Sequence, residues 1–206
     1  MTVEKPRPKR RSDGERSRNA ILREATRLAT VEGIDGLSIS GLADAVGMSK
    51  SGLFAHFGSK EELQLATIDA AGSVYNELVV EPALSAPSAL TRLRQLAENF
   101  VRHLEDDVFP GGCFFASVAA EMDTRPGPVR DRAVEFTQTW SGLLVQAVKE
   151  AQAEGEIDAS EDPVQLAFEL NAYLLLANAQ HIATGESLPL ELARRALDRR
   201  LAAAAA

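Results

Sequence analysis

One short run of residues, GMSKSGLFAHFGSKEEL at positions 47–63, combines side chains that can contact an anion. Ser49 is a candidate helix N-cap, because its hydroxyl can accept from a free backbone N–H of the first turn. Ser51 and Gly52 follow with side chains small enough to let the helix backbone approach a partner closely. A helix N-terminus also favours a nearby phosphate. These residues predict binding to a polyanion.

The cations and the exposed aromatic of this run favour duplex DNA as that polyanion. Lys50 can donate to a phosphate or to a guanine edge, and His56 can donate to a phosphate from the far end of the helix. Lys60 lies in the first turn of the next helix, where a bound phosphate would make a cation favourable. Phe54 can touch a thymine methyl group or the sugar-phosphate backbone, whereas Leu53 and Phe57 are predicted to lie in the core.

Two short helices joined by a tight turn position these residues. Ser38 is predicted to cap the first helix, which Gly47 ends, and Ser49 to cap the second, which Gly58 ends. This spacing is typical of a helix-turn-helix, whose second helix enters the major groove of DNA by its N-terminal end. The alternative is a helical hairpin that only packs.

The whole chain is predicted to be all-α, with about nine helices and no convincing strand. Apolar residues recur at helical spacing, and glycine, proline and capping residues separate the segments. The predicted helices lie around 21–29, at 39–46 and 50–57, from the Ser59–Glu62 capping box to about Val80, and at 90–104, 113–122, 128–154, 163–184 and 189–204.

The net charge of −8 is divided unevenly along the chain. Residues 1–60 hold 11 Lys/Arg against 7 Asp/Glu, a balance of +4, and residues 61–206 hold 11 against 23, a balance of −12. The N-terminal end can therefore approach DNA while the remainder is repelled by it. Residues 1–14 include KPRPKRR, whose two prolines predict a flexible, extended basic arm. A solvated tail without a partner is the alternative.

Residues 18–65 resemble the DNA-binding domain of the TetR family of transcriptional regulators. The resemblance is carried by EGIDGLSI at the end of the first helix and by SGLADAVGMSKSGLFAHFGSKEEL, whose H-F-x-S-K-E-x-L ending is specific. It implies a DNA-binding domain at 15–60 and a helical ligand-binding and dimerisation domain at 61–206. It also implies a DNA face, which together with the cap Ser49 comprises Ser38, Lys50, Ser51, Gly52, Phe54, His56 and Lys60. Family members usually carry tyrosine where this chain has Phe54, so one phosphate contact is absent.

The resemblance further implies a homodimer formed by the last two helices. Each of these helices carries a wide apolar stripe, which fits either a partner subunit or the core of the same chain. The residues are Leu166, Leu170, Tyr173, Leu174 and Ala177 on one helix, and Leu190, Leu192, Ala193, Ala196 and Leu197 on the other. A two-fold dimer predicts a roughly palindromic operator.

Most of the aromatic residues fall in the middle helices, where they predict an apolar cavity for a small effector. Glu121, Gln138 and Asn171 are its expected polar partners, and each aromatic residue could instead be plain core. The predicted ligand-binding residues are Phe100, His103, Cys113, Phe114, Met122, Phe136, Trp140, Phe168, Asn171 and Tyr173.

The sequence gives no reason to expect an enzyme. The three histidines and the single cysteine lack metal-ligand spacing, and there is no P-loop, serine elbow or dinucleotide motif, so neither a metal nor a cofactor is expected. Cys113 could be a redox sensor or, more commonly, a buried thiol. No run approaches the length of a membrane helix and no signal peptide is recognisable, so a cytoplasmic protein is expected.

Together these patterns predict a ligand-responsive DNA-binding regulator, most simply a repressor that a small, mostly apolar effector releases from its operator. A nucleoid-type protein that binds DNA without a ligand is the alternative. A helical hydrolase or transferase is a further possibility, but it would need a nucleophile and base that the sequence does not show.

Overall fold

The computed structural model describes residues 9–206, and their side chains from residue 14 onward; this part is all-α. Its helices are α1 (Lys9–Glu32), α2 (Ile39–Ala45), α3 (Lys50–Phe57), α4 (Lys60–Tyr75), a π-helical segment (Asn76–Val80), α5 (Glu81–Leu84), α6 (Ala89–Glu105), α7 (Phe114–Met122), α8 (Pro128–Ala153), α9 (Pro163–Thr184) and α10 (Leu188–Ala203). Within this part of the chain, no helix is long and apolar enough to cross a membrane.

The predicted caps fix the starts of the short helices. The hydroxyl of Ser38 accepts from the backbone of Gly41 at 3.0 Å, and that of Ser49 accepts from Gly52 at 3.1 Å. Ser59 caps α4 in the same way, through the amide of Glu62 at 3.1 Å. These side chains satisfy backbone donors that a helix start leaves free, so two helices of seven and eight residues begin at defined positions.

The prediction of an extended basic arm over residues 1–14 is wrong for residues 9–14, which are helical. Residues 1–8 lie outside the described residues, but α1 already begins at Lys9. Both prolines of the KPRPKRR run precede this start, and proline is tolerated only before or in the first turn of a helix. The residues after Pro8 include lysine and arginines, which favour the helix.

A long helical connection links the N-terminal helices to the remainder. The π-helical segment continues α4 and α5 continues that segment, so this helix reaches Leu84 rather than the predicted Val80. If α4, the π-helical segment and α5 are counted as one helix, residues 9–206 contain nine helices, as predicted.

The helices enclose two separate apolar cores. We call the N-terminal unit, α1 to α3 with the start of α4, the head; its core comprises Ile21, Leu22, Ala25, Leu37, Leu42, Ala43, Leu53, Phe57 and Leu63. We call the larger unit, from the later part of α4 to α10, the body; its core contains most of the aromatic residues. Because α4 contributes Leu63 to the head and Ile68 and Tyr75 to the body, it joins the two cores directly.

Candidate nucleic-acid interface and effector cavity

The second helix of the predicted helix-turn-helix, α3, presents the expected residues to solvent. Lys50 and Ser51 are exposed at its N-terminus, and Phe54 is 55% exposed one turn later. Leu53 and Phe57 are buried in the head core, as predicted. The exposed face can therefore approach a base edge without disturbing the core of the head.

The other predicted DNA-contact residues border this face. Ser38 and Ser49 are exposed at the N-termini of α2 and α3, and the Ser49 and Ser51 hydroxyl oxygens lie 3.3 Å apart. Gly52 and His56 are half-buried. Any side chain larger than glycine at position 52 would crowd the capping hydroxyl, since an added Cβ would lie 3.1 Å from Ser49 Oγ.

Lys60 already has an anionic partner, which the sequence did not predict. Its ammonium donates to the Asp35 carboxylate at 3.2 Å and also to the Asp35 carbonyl oxygen. The other carboxylate oxygen accepts from Arg125, a residue of the body, at 2.7 Å. Lys60 and, to a smaller extent, Arg125 lower the pKa of Asp35. A DNA phosphate would therefore have to compete with Asp35 for Lys60.

The turn between α1 and α2, residues 33–36, is held by a carboxylate from the body. Glu121 in α7 accepts from the backbone amides of Ile34 at 2.7 Å and Asp35 at 2.8 Å. Gln64 in α4 donates to the Ile34 carbonyl at 2.8 Å. Glu121 was expected among the polar groups of the cavity, and the structure shows instead that it contacts the head. With the bond from Lys60 to the Asp35 carbonyl, four side-chain hydrogen bonds thus hold the backbone of this turn.

A second contact between head and body depends on Gly111, in the loop before α7. Its amide donates to the Thr30 hydroxyl of α1 at 3.2 Å. A Cβ at position 111 would lie only 1.8 Å from the Thr30 carbonyl oxygen, so the two backbones meet without room for a side chain. The GGCFF run therefore begins with a glycine because α1 lies against it.

The body contains a cavity of about 80 Å³ between α4, α6, α7, α8 and α9. Aromatic rings form much of its wall, and four further side chains supply polar atoms or sulfur. Its aromatic residues are Tyr75, Phe100, Phe115, Phe136 and Trp140; the others are Cys113, Ala116, Thr137, Ser141, Asn171 and Leu175. We refer to it as the aromatic cavity. A second space of about 70 Å³ also has Tyr75, Phe136 and Trp140 in its wall.

Half of the predicted ligand-binding residues line the aromatic cavity. These are Phe100, Cys113, Phe136, Trp140 and Asn171. Spacing within one helix could not have identified Tyr75 in its wall, because the wall draws on five helices.

The other five predicted residues lie outside its wall. His103, Phe114 and Met122 are buried in the surrounding core, and Tyr173 is half-buried. Phe168 is 68% exposed on α9, so its placement in the cavity was wrong. Gln138, an expected polar partner, is also exposed on α8. Both belong to outward helix faces that the sequence alone does not distinguish from inward ones.

Tyr75 is the central ring of this region. It makes edge contacts with Phe100, Phe115, Phe136 and Trp140 at ring-centroid distances of 5.4 to 6.3 Å. Burial, with a smaller contribution from Cys113, raises the pKa of its hydroxyl well above the ordinary value. Tyr75 therefore stays a neutral phenol at physiological pH.

Two other titratable groups near the cavity are also held neutral. Burial raises the pKa of the Cys113 thiol against the opposing effect of nearby backbone amides of Ala116 and Phe115. A buried thiol that resists deprotonation is a poor nucleophile, which disfavours a redox sensor. Burial lowers the pKa of His103 to about 4, and neither ring nitrogen has a hydrogen-bond partner among the described residues.

The apolar stripes predicted to form a dimer interface are mostly part of the body core. Nine of these ten residues are buried or half-buried within the chain, and Leu192, at 48%, is the exposed one. A different face of the same two helices is apolar and exposed. Its residues are Val164, Phe168, Leu175, Leu176 and Ile182 on α9, with Leu188 and Leu192 on α10. Large exposed apolar patches of this kind mark interaction sites.

Comparison with known proteins agrees with this architecture. Residues 21–67 match the family described as bacterial regulatory proteins, tetR family, and residues 89–197 match the Tetracyclin repressor-like C-terminal domain. The chain belongs to the TetR family. The predicted resemblance, the all-α fold and the DNA-binding helix-turn-helix are thereby confirmed, and this family is regulatory rather than enzymatic.

Individual relatives span most of the chain. The chain is 28% identical over 166 residues to Transcriptional regulator AcuR of Cereibacter sphaeroides, covering 78% of this chain and 74% of that protein. A TetR transcriptional regulator from Chloroflexus aurantiacus has 26% identity and a TM-score of 0.87, with 94% of this chain and 98% of that chain covered.

A third similar structure is that of a complex. AibR, in complex with isovaleryl coenzyme A and operator DNA, has 24% identity and a TM-score of 0.66, with 82% of this chain and 94% of that chain covered. At this identity the similarity shows the shared fold.

Proposed function

We propose that this TetR-family protein is a homodimeric repressor that a small effector releases from a roughly palindromic operator. One observation carries the proposal: the aromatic cavity is walled by α4 and α7, the same two helices that contact the head. A molecule entering the cavity must displace side chains of these helices, and their movement would shift the head.

The route through α7 is short. Cys113, Phe115 and Ala116 reach the cavity from the start of this helix, and Glu121 binds the α1–α2 turn near its end. The route through α4 begins at Tyr75 and reaches the head core at Leu63. A coupling of about 1 to 3 kcal/mol between cavity and head would change operator affinity by roughly 5- to 150-fold.

The DNA contacts are assigned to the exposed face of α3 and its neighbours. We propose that Lys50, Ser51 and Phe54 approach the major groove, while Ser38, Ser49 and His56 lie against the sugar-phosphate backbone. A protein that binds chromosomal DNA acts in the cytoplasm, where we place it.

Selection of bound oligonucleotides from a random duplex pool tests the DNA-binding part. We expect a two-fold symmetric site with half-sites about one helical turn apart. Ser51→Ala should change the preferred bases, whereas Ser73→Ala, an exposed serine of α4, should not. Uniform protection of any duplex would instead support a nucleoid-type protein.

The dimer is proposed to form through the exposed apolar face of α9 and α10. Phe168→Ser should weaken self-association, measured by sedimentation, by about 2 kcal/mol if this ring lies centrally in the interface. Val31→Ser is the matched control, because Val31 is 61% exposed on α1, a helix that contributes no residue to this face. Equal effects of both variants would contradict the assignment.

The role of Glu121 is tested by hydrogen exchange. Glu121→Ala should speed the exchange of the Ile34 and Asp35 amides and change operator affinity, because it removes both of their acceptors. Glu77→Ala, which removes an exposed carboxylate of the π-helical segment, is the control. Unchanged exchange in the Glu121 variant would exclude this carboxylate as a connection between body and head.

A further inference from the structure

Within the described part of the chain, the wall of the aromatic cavity carries no charge at neutral pH. It has no Lys, Arg, Asp, Glu or His side chain, and its Tyr75 and Cys113 are held protonated. His103, whose ring lies 5.8 Å from that of Tyr75, is neutral as well. A carboxylate or phosphate bound there would lose its hydration without gaining an opposite charge.

The aromatic rings are also poorly arranged for a cation. Cations bind over an open ring face, but Phe115 and Phe136 stack face to face with centroids 3.4 Å apart. Phe100 and Trp140 are stacked at 6.2 Å with an interplanar angle of 27°. Phe115 and Phe136 thus cover one face of each other, and Tyr75 meets the neighbouring rings edge-on, so the cavity differs from an aromatic cage for ammonium groups.

The polar atoms of the wall include hydrogen-bond donors that the protein itself does not use. The indole N–H of Trp140 is a donor only, and it donates to Asn171 Oδ1 at 2.9 Å. This fixes the amide orientation and leaves the Asn171 nitrogen, with its two N–H groups, without a partner among the described residues. The Tyr75 hydroxyl likewise has no hydrogen-bond acceptor there.

The two remaining hydroxyl groups use their hydrogens within their own helix. Thr137 donates to the Val134 carbonyl at 2.9 Å, and Ser141 donates to the Thr137 carbonyl at 3.0 Å. The unused donors are therefore those of Asn171 and Tyr75, with the weak S–H of Cys113 beside them.

The volume limits the ligand to a compact molecule. An engineered apolar cavity of about 150 Å³ admits benzene, and the aromatic cavity has about 80 Å³. If Tyr75, Phe136 and Trp140 moved to join it with the neighbouring 70 Å³ space, the combined site would approach the size that holds benzene.

We propose that the aromatic cavity binds a compact, uncharged molecule through a carbonyl oxygen, as in a small ketone, ester or amide. The oxygen accepts from the Tyr75 hydroxyl and the Asn171 amide, and the hydrocarbon part packs on the rings. This inference rests on the proposed function, because it specifies the chemistry of the effector. It does not follow from the family, since it depends on the wall of this particular cavity.

Three probes of equal size and different charge test the inference: butanone, propanoate and sec-butylammonium. Trp140 is the only tryptophan of the chain, so its fluorescence reports on this cavity and the space beside it. At pH 7, butanone should change the fluorescence saturably, and the two ions should bind at least about tenfold more weakly because of their desolvation. No saturable change with butanone, or tighter binding of either ion, would overturn the inference.

Tyr75→Phe tests the hydrogen bond. It removes one hydroxyl group and should weaken butanone binding about three- to tenfold, the usual range for one net hydrogen bond. Tyr173→Phe is the matched control, because the other tyrosine of the chain lies outside the cavity wall. Thermal unfolding verifies that both variants are folded. Equal butanone affinity in the Tyr75 variant and the unmodified protein would refute the role of this hydroxyl.

Operator binding, measured separately by fluorescence anisotropy, distinguishes the two proposals. If butanone binds at Trp140 and operator affinity stays constant, the ligand class stands and the proposed release mechanism fails. If an unrelated compound releases the operator while butanone leaves Trp140 unaffected, the repressor proposal stands and the carbonyl class fails.

Discussion

The head and the body of this protein are stabilised in different ways. The head has a small core in which Phe57 is the one aromatic residue, and its short helices start at serine caps. The body has long helices, a core rich in aromatic rings, a cavity and an exposed apolar face. Local sequence therefore determines where the short helices of the head begin, whereas packing between distant segments determines the shape of the body. Such a division suits a rigid DNA-reading unit joined to a unit that can adapt to a ligand.

The contact between the two units should be the most sensitive point. Gly111→Ala would place a Cβ against the Thr30 carbonyl oxygen, and we expect the free energy of unfolding to fall by about 3 to 5 kcal/mol. Denaturant unfolding measures this loss. Gly142→Ala is the control, since an added Cβ at this exposed position of α8 meets nothing within 4 Å; it should stabilise by up to about 1 kcal/mol. Similar behaviour of both variants would contradict a tight head–body contact.

The body should be sensitive to acid through His103. Its folded-state pKa of about 4 lies below the ordinary 6.5, so the unfolded chain takes up the proton first. The contribution of neutral His103 to the free energy of unfolding is complete above pH 6.5. It should decrease by up to about 3 kcal/mol as the pH falls to 4. His103→Phe should remove this part of the pH dependence, measured by unfolding at several pH values. His181→Gln should retain it, and an unchanged profile in the His103 variant would exclude this ring as the cause.

The head should depend on its caps. Ser49→Ala removes the acceptor for the Gly52 amide and should destabilise α3 by about 1 kcal/mol, whereas Ser49→Gly should cost a few tenths. Hydrogen exchange of the α3 amides measures the difference. If alanine and glycine had the same effect, the cap would not determine the start of this helix.

The smallest effect is expected for the outer phosphate contact. Lys60→Ala should weaken binding to all duplexes alike and reduce the slope of log affinity against log salt by about one. Lys149→Ala, at an exposed lysine of the body, should leave the slope unchanged. An unaltered slope in the Lys60 variant would mean that this lysine remains with Asp35 when DNA binds.

The same contrast explains what the sequence could predict. Ser38, Ser49 and Ser59 act on amides three residues ahead, so their capping roles follow from local sequence. The buried positions Leu53 and Phe57 were also predicted correctly. In the body, α9 carries apolar residues on two faces, and only the packing of the other helices shows that Leu170 is buried while Phe168 is exposed.

The missed functional residues share a physical reason. Glu121 contacts residues 86 and 87 positions earlier in the chain, and Tyr75 meets rings from three other helices. No periodicity within one segment encodes such long-range neighbours. A glutamate eight residues after Cys113 in an otherwise apolar helix, GGCFFASVAAE, was the available signal that this side chain has a specific partner.

The π-helical segment directly after Tyr75 has a mechanical consequence. Its wider turns interrupt the regular winding of the long connection between the two units, and such interruptions often occur at functional positions. A change of this segment from π-helix to α-helix would rotate α4 about its axis relative to α5. Torsion, as well as tilting, is therefore available to carry a change at the rings to the DNA-facing helices.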